Sequence, residues 1–218
     1  MSSRLVEVPA ERLAGWVQRF CAAHGGCSLT PGPDAVRLAA VDGAVADLEV
    51  PWPPLPGVHD AGGDPVAALA AHAGAPRTAL VVLVRRGGWA VGTAVAGELT
   101  DHTTGTRYVQ SRTAAGGWSQ QRYARRRTGQ AAVLTGSAAD AVVRVLGRRG
   151  DGDGPAPQVL VRGGDRLLVA EVLADPRLAA VAALPASPLL DVPDPRLDVL
   201  AAAARRALAV RVRVDQPG

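Results

Sequence analysis

The sequence predicts an α/β (α+β) fold built on a mixed sheet, with a smaller α+β segment in front of it. Three observations carry this prediction. Thr78–Arg85 (TALVVLVR) is a nearly continuous apolar run, as suits a buried central strand. A Gly87–Gly88 turn and a second strand, Trp89–Ala96, follow at once, so the sheet opens as an antiparallel meander. From Val159 onward short strands alternate with helices, the pattern that adds further strands through crossovers.

The 218 residues suffice for one large domain, or for a compact domain with an appendage. Hydrophobic residues make up 48% and aromatics only 3%, so the core must be built from Val, Leu and Ala. Lys, Asn and Ile are absent, which points to a very GC-rich coding sequence and weakens any inference from the many alanines.

The N-terminal segment opens with an amphipathic helix over about Pro9–Ala23. Pro9 suits a first helical position, and Leu13, Trp16, Val17 and Phe20 form one apolar face. Gly25 and Gly26 stop it. A hairpin follows, Val36–Val41 and Ala44–Val50, turned by Asp42–Gly43. Pro51–Pro56 reads as a linker, Pro65–His72 as a short helix, and a domain boundary falls near residue 75, separating segment 1–75 from a main domain over 76–218.

In the main domain a polar loop follows the second strand, and Thr106–Gln110 is expected as a third. A glycine-rich stretch, Ala114–Gly117, leads to a helix over Ser119–Leu134. Gly136–Ser137 is expected to break or kink it before Ala138–Leu146 continues. Gly150–Pro157 is a loop and Val159–Val161 a short strand. Asp165 caps a helix to about Leu173, and Leu178–Leu184 forms another. Leu189–Val192 is a strand, Asp194–Pro195 begins the last helix, and Val210, Val212 and Val214 alternate with arginines in a closing strand.

Cys21 and Cys27 are too few for a disulfide framework and are expected as thiols in a reducing cytosol, Cys21 packing on the Trp16/Phe20 face. Cys21, His24 and Cys27 lack a fourth ligand, so no metal site is expected. No apolar run approaches the roughly 20 residues needed to cross a bilayer, and no signal core precedes the first helix, so a cytoplasmic protein without membrane contact is expected.

Charge is informative through its distribution. The net charge is +4, and all 24 basic residues are arginine. Between His102 and Ala139 there is no acid, while Arg107, Arg112, Arg122, Arg125, Arg126 and Arg127 all fall there. Elsewhere 18 arginines face 20 acids, so the basic excess belongs to this one segment. An arginine field without interleaved acids is the footprint of a phosphate-backbone partner.

Within that field lies Gln110–Arg127, QSRTAAGGWSQQRYARRR. Gly116 and Gly117 permit backbone conformations closed to other residues and let the chain approach another molecule closely. A glutamine just beyond cannot act as an acid or base at neutral pH, but its amide can orient a water. Gln120 holds that place by spacing, with Gln121 as the alternative. Trp118 can stack on a base or pack the loop.

GGWSQQRYARRR is similar to the glycine–glycine–glutamine loop and following helix of the eukaryotic and archaeal class-1 peptide release factors. Ser119, Arg122, Tyr123, Ala124 and Arg125 stand in that family's order, while Trp118 occupies the place of its glutamine. Gly117–Trp118–Ser119–Gln120 instead resembles the Gly-x-x-Gln form of the VLRF-like branch, and its actinobacterial members most of all. The resemblance implies an RNase H-like fold, as in the release-factor middle domain, over residues 76–218. It also implies that Gln120 positions the water that attacks peptidyl-tRNA in the peptidyl-transferase centre of the large ribosomal subunit, with no cofactor. The resemblance gives no counterpart for the first 75 residues, nor any zinc finger or ankyrin repeat.

Two other functions compete with peptidyl-tRNA hydrolysis. A non-catalytic RNA- or ribosome-binding module would use the arginines alone. A free-standing hydrolase would need its own base in a cleft, and none of His24, His59, His72 and His102 shows a readable carboxylate partner. A nuclease would need several carboxylates converging on metal ions, and Asp101 is the single acid near the basic segment.

Overall fold

The computed structural model describes residues 2–56, 63–106, 120–149 and 155–216. Its strands are β1 (Ser2–Val8), β2 (Cys27–Pro31), β3 (Ala35–Ala40), β4 (Val45–Glu49), β5 (Thr78–Arg85), β6 (Gly88–Val95), β7 (Glu98–Thr106), β8 (Val159–Gly164) and β9 (Val210–Gln216). Its helices are α1 (Leu13–Ala23), α2 (Pro65–Gly74), α3 (Gln120–Arg149), α4 (Arg166–Leu173), α5 (Ala179–Ala182) and α6 (Leu197–Arg206), with 3-10 turns at Ala10–Arg12 and Pro176–Leu178. The fold is α+β. The chain forms two compact units, Met1–Pro76 with Arg205–Gly218, and Arg77–Ala204.

The first unit is an antiparallel sheet in the order β1-β9-β4-β3-β2. One face is apolar: Val36, Leu38, Ala46, Leu48, Val210 and Val212 are buried together with Leu13, Val17 and Phe20 of α1 and Val66, Leu69 and Ala73 of α2. Alternation places charges on the other face, where they pair across strands. Arg37 opposes Asp47 in register and bonds it at 2.7 and 2.9 Å, and Glu49 takes Arg213 at 3.0 Å. Glu7 of β1 is held by Arg206 at 2.7 and 2.9 Å.

The second unit is a four-stranded sheet in the order β7-β6-β5-β8. The first three strands are antiparallel neighbours, and β8 runs parallel to β5. Between the meander and β8 the chain makes a crossover that includes α3, as a parallel pair requires. β5 is central and buried almost throughout, in keeping with its unbroken apolar run. The side chain of Asp165 accepts hydrogen bonds from the amides of Leu167 and Leu168, the cap expected of it.

Four expectations need correction, and two strands add to those expected. The third strand is Glu98–Thr106, the stretch expected as a polar loop. A threonine-rich edge strand carries little apolar periodicity, and residues 107–110 lie outside those described. The helix expected to break at Gly136 runs on to Arg149. Gly136 costs about 1 kcal/mol relative to alanine, and the buried face of Leu134, Ala138, Ala141, Val142 and Val145 outweighs it. Leu189–Val192 is not a strand: Leu190 forms an isolated parallel bridge with Gly163 of β8, and upstream Ala186 forms another with Leu160. β1 and β2 are strands beyond those the sequence predicts. Finally, Cys21 and Cys27 are joined in a disulfide. The turn through Gly25 and Gly26 brings their Cα atoms to 5.3 Å, within bonding reach.

Candidate functional site

The candidate site is the start of α3. Gln120 is its first residue, and Gln121, Arg122, Arg125, Arg126 and Arg127 follow within the helix. Arg107, Arg112, Gly116, Gly117 and Trp118 lie outside the described residues. The first turn of α3 contains no acidic residue. The helix therefore offers no counter-charge of its own to the positive end of its dipole, in the same stretch that concentrates the arginines.

What the structure adds is the way α3 is anchored. With 30 residues it is roughly 45 Å long at 1.5 Å per residue. From Ala131 on, it packs one face on the sheet: Leu134, Ala138, Ala139, Ala141, Val142 and Val145 are buried with Leu80, Val82, Val84, Trp89 and Val91. The Thr135 hydroxyl donates back to the carbonyl oxygens of Ala131 and Ala132, so its polar group is satisfied inside that face.

Two polar ties fix the helix along its length. Near its end, the Arg148 guanidinium donates to the Asp101 carboxylate at 2.9 Å and to the His102 carbonyl of β7. Asp101, the acid flanking the basic segment, is thus engaged by an arginine of α3. Midway, Asp140 meets Arg177 at 2.8 Å, and Arg177 is held in turn by Asp175 at 2.7 Å. The Arg177 side chain, followed by its backbone amide, lowers the Asp175 carboxyl to about 2. Asp175 and then Asp140 raise the guanidinium's own affinity for its proton. These pairs are exposed and act as positioning contacts, with little net stabilisation.

A third feature shapes the end of β7, directly before the stretch 107–119. Trp89 of β6 opposes Gly105 of β7 and is only 6% exposed. A Cβ at Gly105 would fall 2.5 Å from two carbons of the Trp89 ring, so the indole lies where a side chain would be. Sequence reasoning missed Trp89, Gly105, Arg148, Asp140 and Arg177. Their roles depend on strand register and on pairings 37 or 47 residues apart, which leave no local signal. Among the described residues, no group of three or more His, Cys, Asp or Glu side chains could hold a metal ion, and no helix is long and apolar enough to cross a membrane.

No curated protein sequence matches the chain. A solved structure described as the Vms1 mitochondrial localization core is similar over 85% of this chain and 77% of that one, at 8% identity and a TM-score of 0.36, a likeness too distant to speak to chemistry or partners. The family model for the Actinobacteria/chloroflexi VLRF1 release factor matches residues 77–213. That span takes in the whole second unit, including the anchored helix α3, and most of β9. A match over more than half of the chain, centred on the meander, the basic segment and α3, makes this protein a member of the VLRF1 release factor family of Actinobacteria and Chloroflexi.

Proposed function

We propose that this protein hydrolyses the ester of peptidyl-tRNA on the ribosome and so frees nascent chains, chiefly from stalled complexes. The observation that carries the reading is the Gly117–Trp118–Ser119–Gln120 spacing at the entry to α3, inside a segment whose arginines stand without acids. In the reaction, a water oxygen adds to the ester carbonyl carbon. The bond to the terminal ribose oxygen then breaks, leaving a peptide carboxylate and a free tRNA hydroxyl.

A glutamine amide both donates and accepts hydrogen bonds but does not titrate. The role of Gln120 is therefore to orient water, and proton transfer falls to the 3′ end of the tRNA and to groups of the peptidyl-transferase centre. Gly116 and Gly117 let the backbone approach that end closely. Arg107, Arg112, Arg122, Arg125, Arg126 and Arg127 hold RNA phosphates as planar donor forks, and Trp118 stacks on a base. The reading places the protein in the cytoplasm, with the large ribosomal subunit as partner and no cofactor.

The test is single-turnover release of a labelled nascent chain from stalled ribosome complexes, comparing wild type, Gln120→Ala and Gln121→Ala. Gln120→Ala is expected to slow release by roughly 100-fold or more, the scale of losing one group that acts at the transition state, while Gln121→Ala stays near wild type. Release by Gln120→Ala at the wild-type rate would remove the assigned role. Absence of release by every variant, with ribosome binding intact, would favour a binding module that uses the arginines alone.

A further inference from the structure

We propose that Cys21 and Cys27 form a thiol–disulfide exchange site, opened by a low-molecular-weight thiol and closed by the corresponding small disulfide, whose state sets how firmly the edge strand β2 is held. This inference is independent of the function proposed for the second unit.

The pair joins the last turn of α1 to the first residue of β2. Among the described residues β2 is the outermost strand of its sheet, bonded only to β3, and its central residues Ser28, Leu29 and Thr30 are exposed. The cross-link is therefore a second attachment for a strand with a single neighbour. Both cysteines are half-buried at the rim of the core, within reach of a small thiol.

The connecting turn holds its shape through contacts that do not involve sulfur. Gly25 and Gly26 adopt φ values of 76° and 103°, conformations that favour glycine. The Gly26 amide donates to the Cys21 carbonyl at 2.7 Å, and the Val41 amide donates to the Gly26 carbonyl at 3.1 Å. His24, midway between the cysteines, bonds Asp42 through Nδ1 at 2.7 Å and packs on the Phe20 ring at 4.6 Å. Hydrogen bonds and the aromatic contact thus keep the two sulfurs near one another after reduction, which favours re-closure over capture by a second molecule.

The exchange balances as follows. A thiolate attacks one sulfur, breaking the S–S bond, and the other cysteine leaves as a thiolate. A second external thiolate attacks the external sulfur of the mixed disulfide and releases the first cysteine. The protein gains two electrons and two protons, and two small thiols become one disulfide.

The test equilibrates the full chain without oxygen in glutathione buffers running from fully reduced to fully oxidised. Samples are quenched in acid, alkylated with a maleimide and weighed intact. One transition between no alkyl groups and two is expected, with amide exchange at residues 27–30 becoming roughly tenfold faster on reduction and exchange in β5 unchanged. Cys21→Ser is expected to acquire one glutathione on Cys27. A chain that keeps its disulfide in the most reducing buffer, or its two thiols in the most oxidising one, overturns the proposal. So does unchanged exchange in β2, or an unmodified Cys27 in the variant. If Cys21→Ser fails to fold, the wild-type titration decides alone.

Discussion

Placing a methyl group on Gly105 should destabilise the second unit through a single identifiable contact. An alanine Cβ there would sit 2.5 Å from Cε2 and Cζ2 of Trp89 and 2.8 Å from its Nε1. Carbon atoms pack at about 3.5–4.0 Å, so the indole or the strand must shift by about 1 Å. The ring cannot swing freely, because it is 6% exposed and belongs to the cluster shared with α3. Overpacking of this kind costs about 1–3 kcal/mol. For a unit of this size the melting temperature should fall by roughly 4 °C per kcal/mol. The mechanism is isolated by a double-mutant cycle with Trp89→Ala, followed by urea unfolding monitored through hydrogen exchange in β5 and β6. Trp89→Ala alone should cost about 3–5 kcal/mol. In that background Gly105→Ala should cost almost nothing, giving a coupling of at least about 1 kcal/mol. Additive effects would show that the ring does not occupy the space above Gly105, and the account of how β7 is held would fail.

Gly136→Ala should do the opposite. A Cβ there meets nothing within 4 Å, and the site lies inside a continuous helix, so a gain of about 0.5–1 kcal/mol is expected by calorimetry. The first unit should weaken in acid. Arg206, through its hydrogen bonds, holds the Glu7 carboxyl below its usual 4.5, and Arg37 holds Asp47 below its usual 3.8. A lowered folded value means that the stabilisation is present above the usual value and is lost as pH falls through the folded one. Thermal melts should therefore fall as the pH drops below the usual carboxylate range and through the lowered folded values, and Glu7→Gln should flatten that dependence. Replacing Arg125, Arg126 and Arg127 together by alanine should weaken ribosome binding and reduce the slope of log K against log salt by about 2–3; an unchanged slope would remove these residues from the phosphate contacts.

The elements legible in the linear sequence are those whose signal is local. β5 is legible in TALVVLVR, α1 in the spacing of Leu13, Val17 and Phe20, α4 in its Asp165 cap, and β9 in the Val–Arg alternation. The Gly-x-x-Gln spacing and the acid-free arginine field are also linear facts, and the family match takes in the same segment.

Tertiary structure decided everything that depends on partners distant along the chain. β9 is a strand of the first unit because its inward valines complete the apolar face between β1 and β4, a pairing no window of sequence contains. β7 is a strand because β6 offers it a ladder of pairings from Gly88 to Val95, shifted in register at Thr93/Ala94, whereas its own threonines show little periodicity. α3 crosses Gly136 without a break because its buried face gains more from packing than one glycine costs. Cys21 meets Cys27 because two glycines with positive φ fold the chain back. Local propensity amounts to about a kcal/mol per position at most, and where burial or a long-range pairing exceeds that, only the folded chain reveals the outcome.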